Sequence, residues 1–141
     1  MKISDILHNK GASVVTLSPE ASIHDLVNLL AEHNIGAVIV STDGHSIDGI
    51  VSERDVVRHL SDLATLEATK VRTIMTAVVQ TTTMNSPVDS LREQMTEARV
   101  RHVPVLEDGK LVGIVSIGDV VKSSIGQLEF ERDQLSKYVS Q

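Results

Sequence analysis

A serine followed three positions later by an aspartate ends two apolar segments of this chain. The copies are Gly49-Ile50-Val51-Ser52-Glu53-Arg54-Asp55 and Gly113-Ile114-Val115-Ser116-Ile117-Gly118-Asp119. In each copy we expect a strand to run directly into a helix, with the aspartate in the first helical turn. A carboxylate there can accept hydrogen bonds from both hydroxyls of a ribose. The serine hydroxyl and the free helix N–H groups can receive phosphate oxygens. The candidate ligand contacts are therefore Ser52, Asp55, Ser116 and Asp119.

The same residues have a purely structural interpretation. Ser-x-x-Asp before an apolar helix is a capping box, in which the serine and aspartate satisfy free backbone N–H groups. A single copy would favour capping alone, because caps are common. Two copies in a repeat favour ligand contact, and a capping aspartate can also touch ribose.

Small and aliphatic residues near these motifs suit a flat aromatic base. Gly36 and Ala37 would let an adenine approach the backbone closely. Aliphatic side chains could then sandwich the ring, and the candidates are Ile35, Ile50, Val100 and Ile114.

Basic residues are distributed unequally between the two copies. Arg101 and His102 interrupt an apolar strand, where burial without a partner is costly. One interpretation is that they are partly exposed and pair with carboxylates. Arg54 faces either a phosphate or solvent. The counterparts of these residues are Gly36, Ala37 and Gly118. The two sites should therefore differ: one binds tightly and the other weakly, or together they accept a dinucleotide.

The segments around the motifs repeat in the same order. Apolar spacing predicts a helix over 23–33, capped by Ser22 with Asp25. In the second half Ser86 with Asp89 predicts the same box, with Pro87 at the first helical position. Short openings at 2–7 and 70–75 precede strand starts at 14–16 and 79–81.

Each predicted helix is followed by a buried strand and a hairpin. The strands are 35–40 and 100–105. Asp108-Gly109 is a strong two-residue turn signal, and Asp43-Gly44 carries a longer loop. Each half thus reads β-α-β-β-α. The fold class is α/β (α+β), with two repeats that stack with pseudo-two-fold symmetry because neither buries its faces alone.

The predicted boundaries are a first repeat at 1–60, a linker at 61–70, a second repeat at 71–124 and a C-terminal amphipathic helix at 125–141. In that helix Ile125, Leu128, Leu135 and Val139 lie near heptad spacing, and Arg132 interrupts them. The helix either docks on its own chain or forms a dimer contact. We favour the dimer, since interfaces are rich in aromatics and this segment holds Phe130 and Tyr138.

Composition excludes several classes of function. The 141 residues include no cysteine, which excludes thiol nucleophiles and cysteine-ligated metals. A net charge of −6 argues against broad nucleic-acid binding. No apolar run is long enough to span a membrane and no signal region is visible, so a cytoplasmic protein is expected. The six histidines lack metal-ligand spacing. No nucleophile–base pair, P-loop or Rossmann fingerprint indicates an enzyme.

The paired Gly-h-h-Ser-x-x-Asp motifs (h, apolar), the matching openings, the strand starts and Val100-Arg101-His102-Val103-Pro104-Val105 resemble a tandem cystathionine-β-synthase (CBS) domain pair, or Bateman module. The resemblance covers about residues 1–124 and is closest to stand-alone bacterial pairs.

The resemblance implies a non-catalytic regulatory module that needs no cofactor and binds an adenine nucleotide in clefts between the repeats. The ligand would be AMP, ADP, ATP, NAD or S-adenosylmethionine. It implies that Arg101, and His102 beside it, reach phosphate, and that the chain forms a homodimer. The alternative is a ligand-independent homodimeric scaffold.

Overall fold

The computed structural model describes residues 1–62 and 64–140. Leu63, in the predicted linker, and Gln141, the last residue of the predicted C-terminal helix, lie outside the described residues. The helices are α1 (Ile3–Lys10), α2 (Ile23–His33), α3 (Glu53–His59), α4 (Val88–Ala98) and α5 (Ile117–Val139). The strands are β1 (Thr16–Leu17), β2 (Ala37–Val40), β3 (Gly49–Ser52), β4 (Thr82–Thr83), β5 (His102–Glu107) and β6 (Lys110–Ser116). Single 3-10 turns lie at Leu60–Asp62 and Val71–Thr73.

The strands form two three-stranded sheets of identical topology. In the first sheet β1 runs parallel to β2, which pairs antiparallel with β3. In the second, β4 runs parallel to β5, which pairs antiparallel with β6. The duplicated β-α-β-β-α order and the mixed α/β (α+β) class are confirmed.

Local signals succeeded at most helix and turn positions. Helix α2 has the predicted bounds, and the Asp25 N–H donates to Ser22 Oγ at 3.0 Å. Asp108 (φ 51°) and Gly109 (φ 76°) both adopt the left-handed backbone of a tight hairpin turn. In the first hairpin, Asp43 Oδ1 instead accepts hydrogen bonds from His45 and Ser46, which holds the longer loop.

The predicted capping box of Ser86 with Asp89 is wrong. Pro87 itself is the N-cap of α4, without a side-chain cap, and its backbone is extended at φ −65° and ψ 144°. The Ser86 hydroxyl lies 2.9 Å from Thr83 Oγ1, and the Ser86 N–H donates to the Thr83 carbonyl at 3.3 Å. The Ser86 hydroxyl is therefore used in the turn after β4 and does not cap α4.

The predicted strand start at 79–81 is also displaced. Thr76 exchanges two backbone hydrogen bonds with Ile50 of β3, at 2.8 and 3.0 Å. Because Thr76 is hydrogen-bonded to the first sheet, the residues after it are needed to cross to the second sheet. Strand β4 consequently begins only at Thr82.

Each opening segment packs into the core of the other repeat. Ile3, Ile6 and Leu7 of α1 are buried among the side chains of α4, β5 and β6. Val71 and Ile74 are buried among those of α2, β2 and β3. The two repeats therefore exchange their openings, and each aliphatic core is completed by the other half of the chain.

The motif glycines are the points where the exchanged openings touch the sheets. A Cβ added to Gly113 would lie 2.7 Å from Leu7 Cδ1. A Cβ added to Gly49 would lie 2.7 Å from Met75 Sδ and 2.8 Å from the Thr76 carbonyl oxygen. Glycine is needed at both positions for close approach.

Helix α5 runs without interruption from Ile117 to Val139, so the last helix of the second repeat and the predicted C-terminal helix are continuous. Its apolar side chains beyond Val120 are largely exposed, with Leu128 and Leu135 each at 65%. None of the helices in the described parts of the chain is long and apolar enough to cross a membrane.

Candidate functional site

A cavity of about 270 Å³ opens between the two repeats at the end of the first Ser-x-x-Asp motif. The first repeat contributes the adjoining ends of β2 and β3 and the first turns of α3. The second repeat contributes the turn between α4 and β5, and the chain that crosses between the sheets closes the remaining side. The lining residues are Gly36, Ala37, Ile50, Ser52, Glu53, Arg54, Asp55, Arg58, Thr76, Val78, Val79, Gln80, Arg99, Val100, Arg101 and His102.

The Ser52–Asp55 pair forms a capping box that also faces this cavity. Asp55 Oδ2 accepts hydrogen bonds from the Ser52 N–H at 2.9 Å and the Ser52 hydroxyl at 3.1 Å. The Glu53 N–H donates to the Gly36 carbonyl at 3.0 Å, which joins the start of α3 to the edge of β2. No cation lies within 4.0 Å of the Asp55 carboxylate in residues 1–62 and 64–140. The cap thus leaves the carboxylate available to a ligand.

The cavity collects every arginine that lacks an ion-pair partner in the described part of the chain. Of the seven arginines in the sequence, three pair with carboxylates elsewhere, and these are Arg72, Arg92 and Arg132. The other four all line the cavity, and these are Arg54, Arg58, Arg99 and Arg101. The interpretation in which Arg101 pairs with a nearby carboxylate is not what the structure shows. Four exposed guanidinium groups in a chain of net charge −6 create a local site for an anion.

His102 lies at the inner wall of the cavity and is partly buried. Its Cε1 is 3.8 Å from the position that a Cβ on Gly36 would take, so the two repeats meet here. Burial lowers the pKa of His102, which outweighs the opposite influence of Asp119 and Glu53. Burial therefore favours the neutral form of this imidazole.

The apolar lining of the cavity contains most of the predicted residues, but it lacks Ile35 and includes Val78. Gly36, Ala37, Ile50 and Val100 line it as predicted. Ile35 packs against the core of the first repeat instead. Val78 was not anticipated; it lines the cavity and is 85% exposed. The strand start predicted at 79–81 included Val79 and Gln80, and Val78 had no predicted role, so none of the three was expected to line the cavity.

The second Ser-x-x-Asp motif has different surroundings. The Asp119 N–H donates to Ser116 Oγ at 3.2 Å, so the capping box is present. Lys10 Nζ, at the end of α1, lies 2.7 Å from Asp119 Oδ2 and donates to the Ile114 carbonyl at 2.7 Å. Burial raises the pKa of Asp119, but the hydrogen bonds from Lys10 and Ser116 outweigh it and hold the pKa below its usual value. Ser116 and Ile114 do not line the first cavity.

Asp119 borders a separate groove between α1 and α5. The groove measures about 430 Å³ and is mainly apolar, with Ile6 and Phe130 among its walls. Lys10 and Lys122 lie beside Asp119 at its edge. The structure therefore separates the predicted residues into two groups: one surrounds Asp55, and the other is engaged by Lys10.

The CBS domain family model matches this chain twice, over residues 3–62 and 71–126. The chain belongs to the CBS domain family. The two matches correspond to the two repeats, and the CBS pair accounts for most of the molecule.

Solved structures of CBS proteins share this fold. A CBS-domain protein from Agrobacterium tumefaciens is 42% identical, with a TM-score of 0.83 over 88% of this chain and 99% of that one. The CBS domain pair of protein MJ0100, in complex with 5′-methylthioadenosine and S-adenosyl-L-methionine, is 26% identical, with a TM-score of 0.79 over 90% and 98%. A CBS domain protein from Pyrobaculum aerophilum complexed with AMP is 26% identical, with a TM-score of 0.75 over 84% and 89%.

Proposed function

We propose that this CBS pair is a non-catalytic regulatory module that binds an adenine nucleotide in the cavity beside Asp55. The observation that carries the proposal is that Asp55 and four arginines without an ion-pair partner among the described residues converge on one cavity between the repeats. Two of the similar CBS structures were solved with adenosine-containing ligands, AMP in one and S-adenosyl-L-methionine with 5′-methylthioadenosine in the other.

The ribose would bind at the start of α3. Asp55 Oδ2 is held by Ser52, which orients the carboxylate toward the cavity. Two vicinal hydroxyl groups can donate to one carboxylate, a charge-assisted contact that fixes the sugar. The capping role is retained, because a carboxylate has lone pairs for both partners.

The phosphates would lie among the arginines. Arg54 and Arg58 approach from α3 of the first repeat, while Arg99 and Arg101 approach from the second. One guanidinium group can donate two parallel hydrogen bonds to two oxygens of a phosphate. Because four guanidinium groups offer more hydrogen-bond donors than one phosphate needs, we propose ligands with two or more phosphates, such as ADP, ATP or NAD, above AMP.

The adenine would lie against aliphatic side chains, since no Phe, Tyr or Trp lines the cavity among the described residues. Val78 offers an apolar surface that is 85% exposed without ligand. Covering it would contribute about 25 cal/mol per Å² of apolar area removed from water. The bound nucleotide would contact both repeats. It could therefore favour one arrangement of the repeats and so change the surface that a regulated partner protein recognises.

Calorimetry with AMP, ADP, ATP and NAD tests this proposal. We expect Asp55→Asn to weaken binding of the best ligand at least tenfold, since the ribose contact loses its charge. Asp25→Asn is the matched control: Asp25 occupies the same capping position in α2 but lies outside the cavity. Both variants weaken the same capping contact by removing its charge, so only a ligand contact distinguishes them. Absence of binding and of any thermal shift with all four nucleotides refutes the proposal.

A homodimeric scaffold is the second candidate, and the exposed face of α5 favours it. Five aliphatic side chains of α5 are at least half exposed, at successive spacings of four, three, seven and four residues: Val121, Ile125, Leu128, Leu135 and Val139. Arg132 interrupts the alternating four- and three-residue pattern between Leu128 and Leu135. Such spacing is typical of helices that pair. Leu128→Glu is expected to convert a dimer to a monomer in light scattering while nucleotide binding is unchanged. A scaffold without a ligand would show the same dimer and no nucleotide binding.

A further inference from the structure

The second cleft comprises the surroundings of Asp119 that correspond, through the repeat, to the cavity beside Asp55. We propose that Lys10 occupies this second cleft as an internal cation, so that the CBS pair binds one nucleotide, at Asp55, and not two. This inference rests on the proposed function of the first cleft. It names the residue that makes two copies of one motif unequal as binding sites.

Lys10 lies in a stretch that the second repeat lacks. The openings Lys2–Leu7 and Lys70–Met75 are 68 positions apart, whereas the helices α2 and α4 that follow them begin at Ile23 and Val88, which are 65 apart. The first opening is therefore followed by three more residues. They extend α1 by almost one turn, to Lys10, whereas the second opening has only the 3-10 turn Val71–Thr73.

The extra turn changes which group contacts the motif strand. In the first motif the Ile50 carbonyl accepts a hydrogen bond from the Thr76 backbone N–H at 2.8 Å. In the second motif the equivalent carbonyl, that of Ile114, accepts from Lys10 Nζ at 2.7 Å. A side-chain ammonium replaces a backbone amide, and it has donors to spare for the neighbouring carboxylate.

The spare donor reaches Asp119, the counterpart of the ribose-binding Asp55. The Nζ–Oδ2 distance is 2.7 Å, and the two side chains are 31% and 23% exposed. A partly buried, hydrogen-bonded ion pair of this kind is stronger than one in open solvent. A ribose that binds Asp119 would have to displace Lys10. The ammonium group of Lys10 would then lose its ion pair, which lowers the affinity of this site for the ribose.

The second cleft also lacks the arginines that would offset this displacement. Three of the arginines in the first cleft correspond to small or neutral residues in the other repeat: Arg99 to Asn34, Arg101 to Gly36 and Arg54 to Gly118. Of the four, only Arg58 has a basic counterpart, Lys122. In the second cleft the Asp119 carboxylate is thus already paired with Lys10, and few positive side chains remain to bind a phosphate.

Titration calorimetry with ADP and NAD tests the inference through stoichiometry. We expect one site in the wild type, one in Lys10→Arg, and two in Lys10→Met, with affinity at the second site raised at least tenfold. Methionine is unbranched and only one atom shorter than lysine, and it lacks the charge and the N–H donors. Lys10→Met combined with Asp119→Asn should return to one site.

The outcomes separate this inference from the proposed function. If the wild type binds neither ligand, the proposed function fails. If the wild type binds one ligand that Asp55→Asn removes, and a folded Lys10→Met still binds one, the proposed function stands and the role of Lys10 is refuted. Two wild-type sites of similar affinity, or one site lost in Asp119→Asn but not in Asp55→Asn, also refute it.

Discussion

His102 is the residue at which the two repeats influence each other most directly. It lines the cavity beside Asp55 and also experiences the charges of Asp119 and Lys10. Its pKa is lowered chiefly by burial. Because the folded value lies below the unfolded one, the associated stability is present above the ordinary pKa of about 6.5 and is lost as the pH falls below it.

Nucleotide binding should reverse the preference of His102 for its neutral form. A phosphate near His102 favours the protonated ring, so binding takes up a proton and the affinity rises as the pH falls. We expect ADP affinity to increase several-fold from pH 7.5 to pH 6.0 in the wild type.

His102→Gln is the control, because it retains a polar side chain but does not titrate. The phosphate of ADP titrates equally in both experiments, so the difference between the two pH profiles belongs to the histidine. Identical calorimetric profiles for the two proteins would show that His102 does not face the phosphates.

At the scale of elements, local signals were reliable where neighbouring residues decide the structure. The capping boxes at Ser22, Ser52 and Ser116 all formed, because each depends on groups three residues apart. The signal at Ser86 failed, because the preceding turn engaged the serine hydroxyl. The glycines of the two motifs were recognised, but the elements that they contact were not.

Substitution of these glycines tests the contact between openings and sheets. Gly49→Ala should destabilise the protein by about 1–3 kcal/mol, because the new methyl group meets the Thr76 backbone as well as Met75. Gly113→Ala should cost less, since the end of Leu7 can rotate away.

Gly126→Ala is the reference for both substitutions. Gly126 lies inside α5 with nothing near its added Cβ. We expect it to stabilise the protein by about 0.5–1 kcal/mol, because alanine favours helix. Urea unfolding measures all three variants, and a loss at Gly49 no greater than that at Gly113 would contradict the backbone contact.

For the whole molecule, the main finding is the exchange of opening segments between the repeats. The Ile3 N–H donates to the Ser86 carbonyl at 3.0 Å, and the Val71 N–H donates to the Ala21 carbonyl at 2.8 Å. Each opening is thus held by main-chain and apolar contacts to the half that does not contain it. Folding of either core requires both halves of the chain.

Ile3→Ala and Val71→Ala form a matched pair, since both side chains are fully buried. Ile3→Ala is expected to cost about 2–5 kcal/mol. Hydrogen exchange should locate its effect in β5 and β6 of the second repeat. Val71→Ala should instead weaken β2 and β3. Loss of protection in the repeat that contains the mutated residue would contradict the exchange.

The sequence by itself determined the duplication, the order of elements, three of the four serine caps and most of the residues around Asp55, because these depend on periodicity and on spacings of a few residues. Only the tertiary structure decided which opening completes which core, since both openings are apolar and either sheet would accept them. It also decided that four arginines share one cavity and that Lys10 reaches Asp119 across 109 positions of the chain. Contacts at such separations leave no local pattern, so the sequence predicted that the two sites differ, and only the structure showed that Lys10 engages Asp119.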